Sequence, residues 1–332
     1  MKKLSTFEHP LCIYCGQQSK VKELLIAYHD EPHKYWECKR CSLIFEAGFE
    51  KGFDISKPVK NLVEKDFKKF RRQFVEKIDI SDEKYNLYPR FQYKDTNEMQ
   101  DDIFLGVKDR IDTYMSKKGH LKILEVGCAT GFLLEKLKSS YSNVDEIGVD
   151  PSPISIRKAK SLGLHVVCGT LDTVKFRKNQ RFDVIICIGN LMLHPDPLAS
   201  LMEMKNLMSK DGILIFDLKN VNSLVRRLAR FVYGIPILGR TNISKFLIRR
   251  SYSNMRFGFS KKLLSYVLRD IGLEILDMKT KPPRLLNYGN MFRDSKGLKG
   301  FLWRLFNSMD GLVDERAWIE VCCNIRHDSE SP

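Results

Sequence analysis

The strongest constraint on the fold is a regular alternation of short apolar runs and helical patterns between residues 119 and 219. Five apolar runs stand out: LKILEV (121–126), EIGVD (146–150), HVVCG (165–169), FDVIICI (182–188) and GILIFDL (212–218). Strands that alternate with helices at this spacing predict a parallel sheet covered on both faces. Two later runs, at 273–280 and 317–325, are expected to supply a sixth and a seventh strand.

The first apolar run leads directly into a glycine loop, EVGCATG (125–131), after which a helix pattern begins. Such a loop lets the backbone approach a ligand closely. A dinucleotide site needs G-x-G-x-x-G, but Ala129 and Phe132 occupy its second and third glycine positions. A phosphate-binding P-loop is excluded because no Gly-Lys-Ser/Thr follows. Asp150 ends the second run, where a carboxylate can accept hydrogen bonds from both hydroxyls of a ribose.

Residues 119–219 resemble the class I methyltransferases that depend on S-adenosylmethionine (SAM), and residues 255–325 resemble them more loosely. The segments that carry the resemblance are the loop 125–131, GVDPS (148–152), FDVI (182–185) through LHPDP (193–197), and GILIF (212–216). The resemblance implies an α/β fold with a Rossmann-like, seven-stranded, doubly wound sheet. It also implies a SAM-dependent methyltransferase activity.

The same resemblance implies which residues bind SAM. The backbone of 127–131 would hold the methionine part, with Glu125 orienting the loop or the amino group. Asp150 would bind the ribose. Many relatives have an acid beside the adenine where this chain has Thr170, so Asp172 or a backbone contact would take that place. The expected cofactor-binding residues are Glu125, Gly127, Cys128, Ala129, Thr130, Gly131, Asp150, Pro151, Thr170, Leu171, Ile188, Gly189 and Asn190.

Two C-x-x-C pairs, Cys12/Cys15 and Cys38/Cys41, are separated by 22 residues. This spacing predicts a structural Zn²⁺ site with four thiolate ligands and no open position for chemistry. Free or redox-active cysteines are the alternative.

We expect three parts in the chain: a zinc ribbon over 1–46, a helical connector over 47–118, and a SAM-binding methyltransferase domain over 119–332. A ribbon joined to such a domain resembles methyltransferases from saccharide and surface-polysaccharide gene clusters. Residues 1–10 contain no apolar signal segment, and the cysteine count of nine is odd. These features predict a cytoplasmic protein rather than a disulfide scaffold.

The positive charge is concentrated in one segment. Residues 218–269 contain twelve Lys or Arg and no Asp or Glu, while the whole chain carries a net charge of +15. We predict a basic insertion or lid over 220–258 that binds an anionic acceptor. Together with the amphipathic stretch 296–309, it would allow peripheral contact with an anionic membrane on the inner face. The alternative is a solvated basic face whose apolar side packs on the core.

The sequence thus predicts methyl transfer to a small molecule, in particular a saccharide or a carrier-linked anionic saccharide. An RNA methyltransferase that uses the ribbon and the basic segment to bind RNA is the alternative. A non-enzymatic scaffold is a third. His194 is the candidate catalytic base, although a helix-capping or packing role is equally open. Tyr233, Tyr252 and Tyr288 are further candidates, and the acceptor, the methylated atom and the oligomeric state stay open.

Overall fold

A computed structural model describes residues 12, 14–15, 19–28, 31–38, 40–46, 97–194, 196–236, 241, 244, 257–281 and 316–326. Several sequence predictions lie outside these residues. They concern the connector over 47–96, most of the basic segment after residue 236, the stretch 296–309, Pro195, and the two tyrosines Tyr252 and Tyr288.

The described part of the chain contains eleven strands and six α-helices. The strands are β1 (Ser19–Tyr28), β2 (Glu31–Cys38), β3 (Ile44–Glu46), β4 (Leu121–Val126), β5 (Val144–Asp150), β6 (Val166–Cys168), β7 (Phe182–Cys187), β8 (Met208–Lys219), β9 (Phe257–Gly258), β10 (Leu273–Lys281) and β11 (Trp318–Ile325). The helices are α1 (Asn97–Met115), α2 (Phe132–Ser140), α3 (Pro153–Ser161), α4 (Pro197–Leu207), α5 (Leu224–Gly234) and α6 (Lys261–Asp270).

Seven strands form one sheet in the order β10-β11-β8-β7-β4-β5-β6. The pairs β6-β5, β5-β4, β4-β7 and β7-β8 are all parallel. Strand β11 lies between β8 and β10 and runs antiparallel to both. The predicted α/β, Rossmann-like, seven-stranded sheet is confirmed, and the sixth and seventh strands form where the sequence placed them.

The sheet is covered on both faces, as the sequence predicted. Successive strand residues point to opposite faces, so Val184 and Ile186 of β7 belong to one apolar cluster and Ile185 and Cys187 to another. All six residues of β7 are buried, as expected for a central parallel strand.

Capping side chains begin several of the helices around this sheet. The Asp196 carboxylate caps the helix after β7, because it accepts hydrogen bonds from the backbone of Leu198 and Ala199 at 3.0 and 2.9 Å. Ser152 caps α3, Ser223 caps α5 and Ser260 caps α6. Helix entries are therefore fixed at the carboxyl ends of the strands, where a ligand site is expected.

Helix α1 falls within the segment that the sequence assigns to the connector, and it packs directly on the sheet. Its residues Val107, Ile111 and Met115 are buried in the cluster that also contains Ile123 of β4. Arg110 donates hydrogen bonds to Asp277 at 2.8 Å and to Glu320 at 3.2 Å. Residues 97–115 thus belong structurally with the seven-stranded sheet.

The N-terminal cysteine segment forms a second, antiparallel sheet in the order β1-β2-β3-β9. The fourth strand comes from far along the chain, because Phe45 of β3 pairs with Phe257 of β9. Trp36 and Phe45 lie in the same apolar cluster as Phe257 and Phe259. The ribbon therefore shares a sheet and a core with the C-terminal half.

No α-helix in the described ranges combines the length and the apolar character needed to cross a bilayer.

Candidate functional site

The glycine loop after β4 has a backbone conformation that favours glycine. Gly127 and Gly131 have φ values of +78° and +85°, and Ala129 between them has +47°. A Cβ atom on Gly127 would lie 2.1 Å from Nδ2 of Asn190. The loop is therefore a left-handed turn that packs closely against the loop after β7.

Asp150 points towards this turn. Its side chain is buried, and Oδ2 accepts a hydrogen bond from the backbone N–H of Ala129 at 3.0 Å. Oδ1 accepts another from the backbone N–H of Ser152 at 2.8 Å. Each carboxylate oxygen has further acceptor capacity. The arrangement places a carboxylate between the glycine loop and the start of α3, where a ribose would need it.

Glu125, at the end of β4, has the features of a site for a cationic ligand group. It is buried, and within the described ranges its Oε2 has no hydrogen-bond partner. Burial, with a smaller contribution from the charge of Asp150, raises the pKa of Glu125 to about 8. An ammonium group at this position would pair with the carboxylate.

The loop after β7 is fixed from two sides. The amide of Asn190 donates hydrogen bonds to the carbonyl oxygens of Val126 at 2.8 Å and Ile188 at 3.2 Å. The backbone N–H of Gly189 donates to Oδ1 of the buried Asp217 at 2.6 Å. The predicted floor residues 188–190 are therefore brought against the glycine loop.

His194 connects this floor to helix α4. Its Nε2 lies 2.9 Å from Oδ1 of Asn190, and its Nδ1 lies 2.8 Å from Oγ of Ser200. Because the Asn190 amide nitrogen already donates to two carbonyls, Oδ1 is the acceptor and Nε2 carries the proton. Both ring nitrogens of the candidate base thus have partners within the protein.

The predicted adenine side lies at the same edge of the sheet. The backbone N–H of Gly169 donates to the carbonyl of Asp150 at 2.9 Å, which joins the end of β6 to the end of β5. Leu171 is buried, whereas Asp172 is exposed, and Thr170 N–H donates to Oγ1 of Thr173 at 2.8 Å. The structure therefore brings Thr170 and Leu171 beside Asp150.

The four N-terminal cysteines converge. Sγ of Cys12 lies 3.6 Å from Sγ of Cys41, and Sγ of Cys15 lies 3.5 Å from Sγ of Cys38. All four sulfurs are within 4.8 Å of one another. Thiolates at about 2.3 Å from a tetrahedral zinc ion are about 3.8 Å apart. The observed spacing fits four ligands around one such ion.

Sequence reasoning missed two residues on β8. It did not single out Asp217, and it treated Lys219 only as one of twelve basic residues. Lys219 is buried at the carboxyl end of β8, with Nζ 5.9 Å from the centre of the Trp318 ring. Burial, and to a smaller extent the charge of Arg226, lowers the pKa of Lys219 to about 7. The sequence signal that could have identified Lys219 is its position directly after the apolar run 212–218.

The fold and this site define a class of protein. Residues 117–231 match a family described as a methyltransferase domain, and this segment contains the glycine loop, Asp150 and the floor loop. The chain therefore contains a methyltransferase domain within its Rossmann-like seven-stranded sheet, and SAM-dependent methyl transfer is the activity that this domain supports.

The chain is similar in sequence to curated methyltransferases. The chain is 29% identical over 168 residues to the ubiquinone biosynthesis O-methyltransferase of Actinobacillus pleuropneumoniae serotype 7, covering 47% of this chain and 69% of that protein. It is 26% identical over 166 residues to the protein of that name from Haemophilus ducreyi, covering 48% and 67%.

Two solved structures align with much of the chain at low sequence identity. The plantazolicin methyltransferase BamL, in complex with a triazolic desmethylPZN analog and SAH, is 15% identical with a TM-score of 0.49, covering 75% of this chain and 93% of that one. A possible histamine N-methyltransferase from Thermotoga maritima is 19% identical with a TM-score of 0.44, covering 72% and 98%.

Proposed function

We propose that this protein transfers the methyl group of SAM to a hydroxyl oxygen of a small anionic acceptor, with a carrier-linked saccharide as the favoured class. One observation carries the proposal: the buried Asp150 carboxylate faces the left-handed glycine loop at the carboxyl edge of the sheet. The relatives named as O-methyltransferases support oxygen as the methylated atom.

In this proposal the chain holds SAM through three groups of residues. The Glu125 carboxylate pairs with the amino group, and the backbone of 127–131 approaches the methionine part. Asp150 accepts hydrogen bonds from the ribose, while Thr170 and Leu171 flank the adenine. When bound, SAM supplies a methyl group activated by its sulfonium, and residues 188–190 line the floor beside it. Fixing the acceptor in line with that methyl group contributes about 7–11 kcal/mol to lowering the barrier.

We assign His194 a positioning role rather than the base role considered from the sequence. Its Nε2–H donates to Asn190, whose amide in turn holds the carbonyls of Val126 and Ile188. The ring therefore fixes the floor loop relative to the glycine loop. A base role would require Nε2 to lose both its proton and this hydrogen bond.

The four cysteines are proposed to bind a structural Zn²⁺ ion. Cys12, Cys15, Cys38 and Cys41 would each supply one thiolate, and a four-thiolate site leaves no position for substrate. Metal analysis of the purified protein tests this directly: about one zinc per chain is expected, and none after Cys38 and Cys41 are both replaced by Ser.

The anionic acceptor is proposed from the basic segment, and the membrane contact from helix α5. On α5 the exposed residues include Arg227 and Phe231, the latter 69% exposed. A cation beside an exposed aromatic ring suits the interface of an anionic bilayer. Sedimentation with vesicles of anionic and of neutral lipids tests this contact, and binding only to the anionic vesicles is expected.

The activity is tested in two steps. Calorimetry should show binding of SAM and of its demethylated product, SAH; no affinity for either would overturn the proposal. Radiolabelled SAM should then be incubated with sugar nucleotides and with total RNA. Label in a hydroxylated small molecule supports the proposal, whereas label only in RNA would favour the RNA methyltransferase alternative.

A further inference from the structure

Lys219 is a buried lysine at the edge of the sheet where the acceptor of the proposed reaction would bind. It is the last residue of β8, and β8 lies directly beside β7, whose following loop forms the floor. Ligands of open parallel sheets bind beyond the carboxyl ends of the strands. Because Lys219 ends β8, it lies at the carboxyl edge of the sheet, where such ligands bind.

The face of the sheet on which Lys219 lies can be inferred from Asp217, two residues earlier on β8. Residues two apart on a strand share a face, so Lys219 lies on the same face as Asp217. Oδ1 of Asp217 accepts a hydrogen bond from the backbone N–H of Gly189 at 2.6 Å, so this face of the sheet contacts the floor loop. Lys219 thus lies one step further towards the carboxyl edge than the residue that anchors the floor.

The surroundings of Lys219 favour an uncharged amine. Burial and a second cation oppose the cation–π contact that Nζ makes with the ring of Trp318, the residue directly opposite on β11. The guanidinium of Arg226 is fixed nearby by hydrogen bonds to the carbonyls of Asn220 at 3.0 Å and Ala317 at 2.7 Å. A buried position beside a second cation disfavours the ammonium form, consistent with the pKa of about 7.

Other charged groups on the elements packed around Lys219 are oriented by defined partners. Arg110 of α1 donates to Glu320 of β11 at 3.2 Å, and Lys281 of β10 also pairs with Glu320 at 2.8 Å. In strand register Glu320 and Lys281 lie near Lys219 on β11 and β10, Asp217 precedes it by two residues on β8, and the charge of Arg226 acts on it.

Resting on the proposed function, we propose that Lys219 is the catalytic base that takes the proton from the acceptor hydroxyl. The acceptor oxygen forms a bond to the methyl carbon while the bond from that carbon to sulfur breaks. The sulfonium becomes a neutral thioether, and the hydroxyl proton passes to the neutral amine of Lys219. The resulting ammonium then releases the proton to solvent, so charge and atoms balance.

Among the described residues, Lys219 suits this role better than two other groups that contact the floor loop. His194 has both ring nitrogens hydrogen-bonded to Asn190 and Ser200. Asp217 accepts from Gly189 and anchors the floor. A lysine whose ammonium form is destabilised is suited to accept a proton near neutral pH.

The test uses Lys219→Met, which keeps the length of the side chain, and Lys219→Arg, which keeps the charge but cannot become neutral. Lys281→Met is the matched control, since Lys281 also lies opposite Trp318 but on the outer side and pairs with Glu320. SAH affinity is measured by calorimetry, and turnover is measured from pH 6 to 9 on the hydroxylated acceptor from the label screen.

Wild-type turnover should rise with pH through about 7 and then level off. Both Lys219 variants should lose about 10²–10⁴-fold in turnover and lose this rise, with SAH affinity changed less than twofold. The control should retain the rise. Activity in Lys219→Arg, or an unchanged pH profile in Lys219→Met, overturns the proposal. So does a large loss of SAH affinity, which would make Lys219 a cofactor anchor.

Unfolding provides a measurement that needs no acceptor. The pKa of Lys219 is about 7 in the folded chain, against 10.5 for an ordinary lysine. Between these values only the unfolded state binds the proton, so wild-type stability should rise with pH relative to Lys219→Met. A constant difference overturns the inference. Failure of the wild-type protein to bind SAH would instead overturn the proposed function.

Discussion

The guanidinium of Arg230, in α5, lies 3.2 Å from the carboxylate of Glu37, in β2 of the ribbon. Helix α5 lies near the start of the basic segment 218–269, and β9, which pairs with β3 of the ribbon, lies towards its end. A third contact joins the ribbon to α6, because Tyr14 O–H donates to Asp270 at 2.7 Å. The ribbon therefore contacts both ends of the basic segment.

Disrupting the cysteine cluster should loosen the basic segment while leaving the SAM site intact. We expect faster amide hydrogen exchange in α5 and β9 when Cys38 and Cys41 are both replaced by Ser, because β2 and β3 lose their anchor. Exchange in β4 and SAH affinity should stay unchanged. The control is Cys168→Ser, an exposed cysteine outside the cluster. Unaltered exchange in α5 and β9 would refute the coupling.

Breaking only the ion pair should have a smaller, local effect. In Glu37→Gln we expect faster exchange in α5 but not in β9, since β9 is held by backbone pairing to Ile44 and Phe45. The two side chains are 17% and 20% exposed, so the stability loss should be about 0.5–1 kcal/mol. Equal loosening of both elements would show that the pair supports the whole ribbon rather than α5 alone.

Gly127→Ala should abolish SAM binding as well as lower stability. The new Cβ would meet Asn190 Nδ2 at 2.1 Å, in a backbone conformation of φ +78°. Strain and the clash together should cost about 1–3 kcal/mol, measured by denaturant unfolding, and calorimetry should show no SAH binding. Gly163→Ala is a matched control, because φ is +73° but nothing lies within 4 Å. It should lose stability through strain alone and still bind SAH.

Asp150→Asn should weaken SAH binding by about 10–100-fold, because one charged hydrogen-bond acceptor for the ribose is lost. In the wild type the backbone N–H groups of Ala129 and Ser152 each donate to one carboxylate oxygen of Asp150. The NH₂ group of the asparagine would face one of these donors and could not accept its hydrogen bond. Calorimetry measures the change. Asp145→Asn, on the same strand but with a side chain 68% exposed, should bind SAH as wild type does. Equal affinity in both variants would remove Asp150 from the cofactor site.

Glu125 should make the ligand-free protein less stable as the pH rises. Its folded pKa of about 8 lies above the ordinary value of 4.5, so the folded state holds a proton that the unfolded state releases. The stabilising contribution is complete below about 4.5 and is lost as the pH rises through about 8. Unfolding of wild type and Glu125→Gln across this range measures it, and a parallel pH dependence in the two would contradict the expectation.

The sequence by itself determined the features that depend on neighbouring residues. The glycine loop, the acid at the end of the second strand and the period of the apolar runs are local patterns. They predicted the α/β class and, through the resemblance to the class I methyltransferases, the cofactor. The spacing of the cysteine pairs predicted a cluster because each C-x-x-C turn brings two sulfurs together. These features can be predicted from the sequence because short segments encode them without contacts to distant parts of the chain.

Only the tertiary structure decided the contacts between distant segments. The pairing of β3 with β9 joins residues about 210 apart in the sequence, and no local pattern encodes that register. The environment of Lys219 includes the Trp318 ring and the charge of Arg226, which come from different elements. A side chain's pKa and hydrogen-bond partners are set by the groups that folding brings around it, so the roles of His194 and Lys219 could be argued only from the folded chain.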